Sequence, residues 1–298
     1  MNRRTVLGLA LGLAGVTLFG ATVPATRYAV QFVDPTFFTF ARATLAGLMA
    51  AGMLLARGCQ PPWRRGLPMG DFVLVALCLM VGFPLLMAHG SVSVPSSHAG
   101  VVLGILPLTT ALAATLLAGE RPSLAFVGIS VLGCALVVAF ALRNGGAGGF
   151  GFGDILLGLS AITCSIGYAV SGRLARRMAG WEVICWALVL GLPLSVPAAL
   201  FFMPAGLATT PMGAWVALGY VAAISQLVAF FFWNTGLAMG GIARVGQLQL
   251  LQTFLIVMLS WPINGEAPDA ETYAFMAAVM VVVALGQGTK VRAAQAAG

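Results

Sequence analysis

Apolar residues run along this chain in ten long blocks, at about 5–24, 36–56, 71–90, 97–117, 124–142, 153–174, 182–203, 212–234, 243–264 and 271–289. Polar, charged or glycine-rich breaks separate them. Each block approaches the roughly 20 residues that an α-helix needs to cross a bilayer. None alternates with a period of two, so none reads as a barrel strand. In lipid the backbone must satisfy its hydrogen bonds within the span. The pattern predicts an all-α polytopic membrane protein with ten transmembrane helices and little mass left for any other domain.

A second pattern lies over the first. The stretch from His98 to Pro122 ends in Gly119-Glu120-Arg121-Pro122, and that from Arg244 to Pro268 ends in Gly265-Glu266-Ala267-Pro268. The two align without a gap at an offset of 146 residues, with Gly100 on Gly246 and Glu120 on Glu266. The same register places Thr17 on Thr163, Arg27 on Arg173, Ala41 on Ala187 and Gly90 on Gly236. It predicts a first repeat at 1–143, a Gly-rich linker at 144–153, a second repeat at 154–290 and a tail at 291–298. Each repeat holds five spans, an odd number, so the second enters the membrane inverted. Internal repeats of this kind decide the fold and outrank local motifs.

Composition narrows the class. Charged residues make up only 8% of the chain and hydrophobic ones 60%, against about 25% charged in soluble domains. The formal charge of +7 follows topology rather than nucleic acid. If the N-terminus is cytoplasmic, twelve basic residues face the cytoplasm: Arg3, Arg4, Arg57, Arg64, Arg65, Arg121, Arg173, Arg176, Arg177, Arg244, Lys290 and Arg292. Arg27 and Arg143 face outward and Arg42 lies within a span, a strong positive-inside bias. Asn2-Arg3-Arg4 and the following apolar run imitate an export signal. The repeat register counts against cleavage, because Thr17 and Arg27 have counterparts deep in the chain. Cys59, Cys78, Cys134, Cys164 and Cys185 show no metal or redox spacing. No cofactor or metal is expected.

Paired five-span units, each closing on Gly-Glu before its last span, resemble the drug/metabolite transporter superfamily of EamA type. Gly119-Glu120, Gly265-Glu266, Pro107 and Arg42 carry the resemblance, which covers the whole chain. Two departures bear on substrate identity: the first span reads Leu18-Phe19-Gly20-Ala21, and Thr253 stands where a proline is expected opposite Pro107. The resemblance implies a secondary transporter, with export as its direction, that moves a small organic metabolite by alternating access in a bacterial-type inner membrane. Inverted repeats are characteristic of such proteins. The expected substrate is amphipathic, such as an amino acid. Its expected surroundings are the lipid bilayer, with no nucleic acid and with the protein either a monomer or a homodimer. The alternatives are a sugar-phosphate or anion exchanger of the same superfamily, a non-transporting scaffold, and an intramembrane enzyme. No enzyme motif supports the last of these.

The Gly-Glu-x-Pro turns read first as helix junctions. Glycine ends one helix and proline suits the first turn of the next. The glutamate is expected to cap that next helix, favoured by its dipole. No carboxylate lies deep in a span, so transport is not expected to run on a buried carboxylate relay. Arg42 sits about 9 Å from the outer end of its helix at 1.5 Å per residue. It is expected either to snorkel or pair with helix-end carbonyls, or to bind an anionic substrate group. His89 and His98 read as interfacial polar residues with no acid beside them in sequence. Gln249, Gln252 and Thr253 share one face of the ninth span, and Gln226 and Trp233 align in the eighth. With Tyr168, and Thr17 opposite, they form the candidate substrate cavity. Pro107 is the candidate hinge. Ser160, Cys164, Gly167 and Ser171 form a small-residue packing face.

Overall fold

A computed structural model describes residues 3–144, 151–287 and 291–292. Most of the expected linker and tail therefore lies outside the described residues. Ten helical stretches follow one another: α1 Arg3–Ala29, α2 Pro35–Ala56, α3 Met69–Ser93, α4 Ser96–Ala118, α5 Leu124–Asn144, α6 Phe152–Leu174, α7 Gly180–Phe201, α8 Met212–Gly240, α9 Ile242–Asn264 and α10 Ala270–Gln287. Eight of them, all except α5 and α10, are long and apolar enough to cross a membrane among the described residues. The apolar blocks seen in the sequence locate all ten.

Polar contacts define two opposite faces of the bundle. On the proximal face, where α1 begins, Arg173 at the end of α6 bonds Asp71 at the start of α3 at 2.8 Å and the Leu117 carbonyl of α4 at 2.5 Å. Arg65, in the α2–α3 connection, reaches Glu182 at the start of α7 at 2.9 Å. On the distal face Arg27, at the end of α1, donates to the Ser91 and Val92 carbonyls of α3, each at 2.6 Å. His98 of α4 meets Asp154 of α6 at 2.9 Å, and Thr36 of α2 meets His89 of α3 at 3.1 Å. Successive helices from α1 to α9 thus alternate in direction. A two-residue antiparallel pairing of Arg121 with Arg292 and Pro122 with Val291 brings the chain after α10 back to the proximal face.

Packing follows the repeat. α2 lies against α7, α4 against α9 and α5 against α10, each with its own counterpart, while α1 packs on α8 and α6 on α3. Glycines permit the closest of these approaches. A Cβ at Gly100 would lie 2.7 Å from Ile256 Cγ2, and one at Gly246 would lie 2.9 Å from Thr110 Cγ2. Gly100 and Gly246 are repeat partners, and so are Thr110 and Ile256. The α4–α9 pair is therefore reciprocal about a pseudo-two-fold axis. Gly167, in the small-residue face of α6, leaves room for Leu79, whose Cγ would come within 2.4 Å of a Cβ there.

The same symmetry appears in the irregular backbone. α4 is interrupted by a 3-10 turn at Leu103–Ile105, just before Pro107. α9 is interrupted between its segments Ile242–Gly246 and Gln249–Asn264. α3 carries a π-helical segment at Ala76–Gly82 and α8 one at Tyr220–Val228. These two overlap when shifted by the repeat offset. Pro84, which has no N–H to donate, helps to explain the first; its counterpart in α8 is Phe230, so the second has no proline to blame. Such segments are frequent at functional sites.

Candidate functional site

Each Gly-Glu turn holds the opposite repeat. Gly119 and Gly265 adopt left-handed backbone, with φ of 67° and 73°, and close α4 and α9. The chain then turns, and Glu120 accepts from the N–H groups of Ile242 and Ala243 at 2.9 and 2.8 Å, the first residues of α9. Glu266 accepts from the Ser97 N–H at 3.2 Å and the Ser96 hydroxyl at 2.6 Å, the first residues of α4. Ser96 and Ser97 are the repeat partners of Ile242 and Ala243. Arg176 pairs with Glu120 on the proximal face, and Arg27 lies 3.7 Å from Glu266 on the distal face. Anionic caps at helix N-termini are stabilised by free amides and by the helix dipole.

This corrects the expectation that each glutamate caps the helix following it. That duty falls to Ser123, whose hydroxyl accepts from Phe126 N–H at 3.3 Å in α5, and to Asp269, which accepts from Thr272 N–H at 2.7 Å in α10. The Thr272 hydroxyl and N–H hold the Asp269 carboxyl below its ordinary range. Pro122 and Pro268 precede the first residues of α5 and α10 by two positions, so they sit outside the first turn. His98 also has an acid beside it in space, Asp154, which its distance in sequence concealed.

Between the faces lies a buried layer of polar and aromatic side chains. Trp233 is fully buried and Tyr168 nearly so, with ring centroids 5.1 Å apart. Phe230 stands 6.0 Å from Tyr168 and 5.1 Å from Phe19, which completes the cluster from α1. Gln226 in the π segment of α8 donates through Nε2 to the Leu79 carbonyl in the π segment of α3 at 3.2 Å. The two irregular segments thus meet. Gln249, Gln252 and Thr253 are all buried on α9, at and just beyond its interruption. Pro107 is buried and shares a small cleft with Gln247, Ser130 and Gly104.

Several of these groups lack partners. Gln249 has neither amide atom bonded, and Gln226 Oε1, Gln252 Oε1 and Trp233 Nε1 are likewise without a partner. Buried polar atoms are ordinarily paired, so these unpaired groups on α8 and α9 stand out from the rest of the interior. Arg42 is 2% exposed, and its Nε and Nη1 meet no acceptor. No bond from it to a helix-end carbonyl is seen among the described residues; Arg27 makes that kind of contact instead. Thr17 is exposed on the outer side of α1 and its hydroxyl returns to the Leu13 carbonyl at 2.9 Å. It does not join the cluster; Phe19, two residues on, does.

Sequence reading also missed the Thr109–Ser165 and Thr110–Ser165 bonds between α4 and α6, at 2.7 and 3.1 Å. It missed the Thr22–Ser225 bond at 2.8 Å as well. Small hydroxyls inside apolar runs carry little signal of their own. Their common feature, visible only in three dimensions, is that they tie the two repeats together.

The model of the EamA-like transporter family matches residues 6–141 and again 151–286. This chain belongs to that family. It is a multi-pass membrane transporter, in keeping with the resemblance noted in the sequence. It is 43% identical over 284 residues to a Bacillus subtilis transporter named YdeK, covering 95% of this chain and 98% of that one. It is 28% identical to a probable terminal-alkyne amino-acid exporter of Streptantibioticus cattleyicolor, over 85% of this chain and 84% of the relative. An aromatic amino acid exporter, YddG of Ancylobacter novellus, is 27% identical over 83% and 87%. A solved crystal structure superposes with a TM-score of 0.70 over 93% of this chain and 95% of the other, at 24% identity, and shares the fold.

Proposed function

We propose that this transporter exports small amphipathic organic metabolites, amino acids and their relatives, across a bacterial-type inner membrane. Both termini lie in the cytoplasm, and the protein works in the bilayer as a monomer or a homodimer. The observation that carries the reading is the set of unpartnered buried polar groups on Gln226, Gln249 and Trp233, the last of them inside an aromatic cluster. An aromatic surface with a few polar groups suits a molecule that is apolar at one end and polar at the other. The two named amino-acid exporters among its relatives support the same class.

Arg42, Pro107, Tyr168, Gln226, Trp233 and Gln249 form the proposed substrate path, with Gln252 and Thr253 along the same face of α9. Alternating access needs each end to open in turn around this middle layer. The reciprocal glutamate clamps supply two ends that can open separately: Glu120 with α9 on the proximal face, Glu266 with α4 on the distal face.

The test is efflux from proteoliposomes loaded with labelled aromatic amino acids. Gln249→Leu and Trp233→Leu each lower the rate by about tenfold, the scale of one lost hydrogen bond to substrate. Thr17→Val leaves it unchanged. An empty result for amino acids and amphipathic amines alike, from folded protein, would remove this reading and favour a scaffold role.

A further inference from the structure

Arg42 is a buried cation with no anion of its own among the described residues. Every Asp and Glu side chain is engaged or placed elsewhere among the described residues. Asp34 caps the first turn of α2 through Thr36 and Phe37 N–H groups. Asp71, Asp154 and Glu182 bond Arg173, His98 and Arg65, and Glu120 and Glu266 hold the clamps. Asp269 caps α10, and Glu271 lies in the first turn of α10, a helix that packs on α5 and α9 rather than on α2. An unpaired charge taken out of water is costly.

The surroundings say what kind of partner. α2 and the segment Thr22–Ala29 each pack against both Phe83–Ser93 of α3 and the π segment Tyr220–Val228. These four segments form a ring, and each contributes at least one buried side-chain atom without a partner. The buried residues among them are Arg42 of α2, Thr26 of α1, Ser91 of α3 and Gln226 of α8. Thr26 and Ser91 stand near the distal ends of their helices, while Gln226 bonds Leu79, twelve residues deeper in α3 than Ser91; the groups that α2 and α8 offer in the interior are thus the Arg42 cation and the Gln226 carbonyl oxygen. Phe230 and Trp233 continue the Gln226 face of α8 into the aromatic cluster.

We propose that Arg42 binds the carboxylate of the transported molecule, which makes α-amino acids the substrate class rather than amines, sugars or neutral drugs. The guanidinium takes the carboxylate, Gln226 Oε1 accepts from the ammonium, and the aromatic cluster takes an apolar side chain. The proposal rests on the export reading above and adds the chemical group that is recognised.

Counterflow in proteoliposomes tests it, with labelled L-phenylalanine as the moving species. Unlabelled L-phenylalanine and L-phenylalaninamide, which lacks the carboxylate, are the competitors. In wild-type protein the acid competes at least about tenfold better than the amide. Arg42→Gln weakens the acid by about 30-fold and abolishes the preference, the scale of a lost hydrogen bond to a charged group. Arg42→Lys retains part of it. Ligand-free Arg42→Gln melts at or above the wild-type temperature, because it removes an unpaired buried charge; a purely structural arginine would give a lower value.

A preference for the acid that survives in Arg42→Gln overturns the proposal and leaves the export reading standing. Equal competition by acid and amide in wild-type protein overturns it too, whether or not the variant folds. Counterflow of amines without counterflow of any amino acid also overturns it. Absence of counterflow for both classes ends the export reading as well.

Discussion

A Cβ built on Gly8 would lie 2.4 Å from the Gly240 backbone nitrogen, and one on Gly236 would lie 2.8 Å from Gly12 N and Gly8 O. Backbone cannot move aside as a side chain can, so α1 and α8 sit together only because these positions carry no side chain. Gly8→Ala therefore lowers stability in detergent by about 1–3 kcal/mol, the usual cost of overpacking. Gly52→Ala, where a Cβ would meet nothing within 4 Å, is neutral or raises stability by up to about 1 kcal/mol through helix propensity. Thermal unfolding of the two variants side by side reads the difference, and equal shifts would refute the close approach. The spacing of Gly8, Gly12, Gly236 and Gly240 was open to inspection in the sequence, but a small residue in an apolar run does not say which helix it faces. Thr17 shows the same limit: repeat symmetry pointed to it, while the rotation of α1 turned Thr17 outward and Phe19 inward.

At the level of helices, the apolar blocks located the helices to within a few residues, eight of them long and apolar enough to cross a membrane among the described residues, because lipid imposes length and composition directly. Contacts between helices left a fainter trace. The Gly-Glu turns were plain at both sites, yet Glu120 finds its partners 122 and 123 residues along the chain, beyond any local capping rule. The π segments were invisible, since hydropathy does not encode which carbonyl an amide chooses. The clamps lead to a paired prediction. Glu120→Ala frees the α9 N-terminus, so a cysteine at Ala243, on the proximal face, reacts about tenfold faster with a soluble maleimide. Glu266→Ala does the same for a cysteine at Ser97, on the distal face. Tenfold is the population shift that about 1.4 kcal/mol produces, within the range of a charged hydrogen bond. Each substitution leaves the opposite site no faster than before. Simultaneous acceleration at both sites would mean general loosening and would refute independent clamps.

For the molecule in its membrane, orientation is decided by charge and by parity together. Arg57, Arg64, Arg65, Arg121, Arg173, Arg176, Arg177 and Arg244 all lie at or beyond helix ends on the proximal face, and Arg27 lies on the distal one. Such a bias is what supports the proposed cytoplasmic placement of the proximal face. Because the helices alternate, one reporter on each face tests the whole arrangement. Cys59 is a native one, half-buried in the proximal α2–α3 connection; Cys78, Cys164 and Cys185 are buried. Ala208, exposed in the distal α7–α8 connection, accepts a second. With Cys78, Cys134, Cys164 and Cys185 replaced by alanine, a membrane-impermeant maleimide labels Cys59 in inside-out vesicles and spares it in intact cells. In the protein that also lacks Cys59, Ala208→Cys gives the opposite result. Reversal at both positions would invert the orientation and keep the fold. Labelling of both from one side would break the alternation, and with it the inverted repeat on which the reciprocal α4–α9 pairing depends.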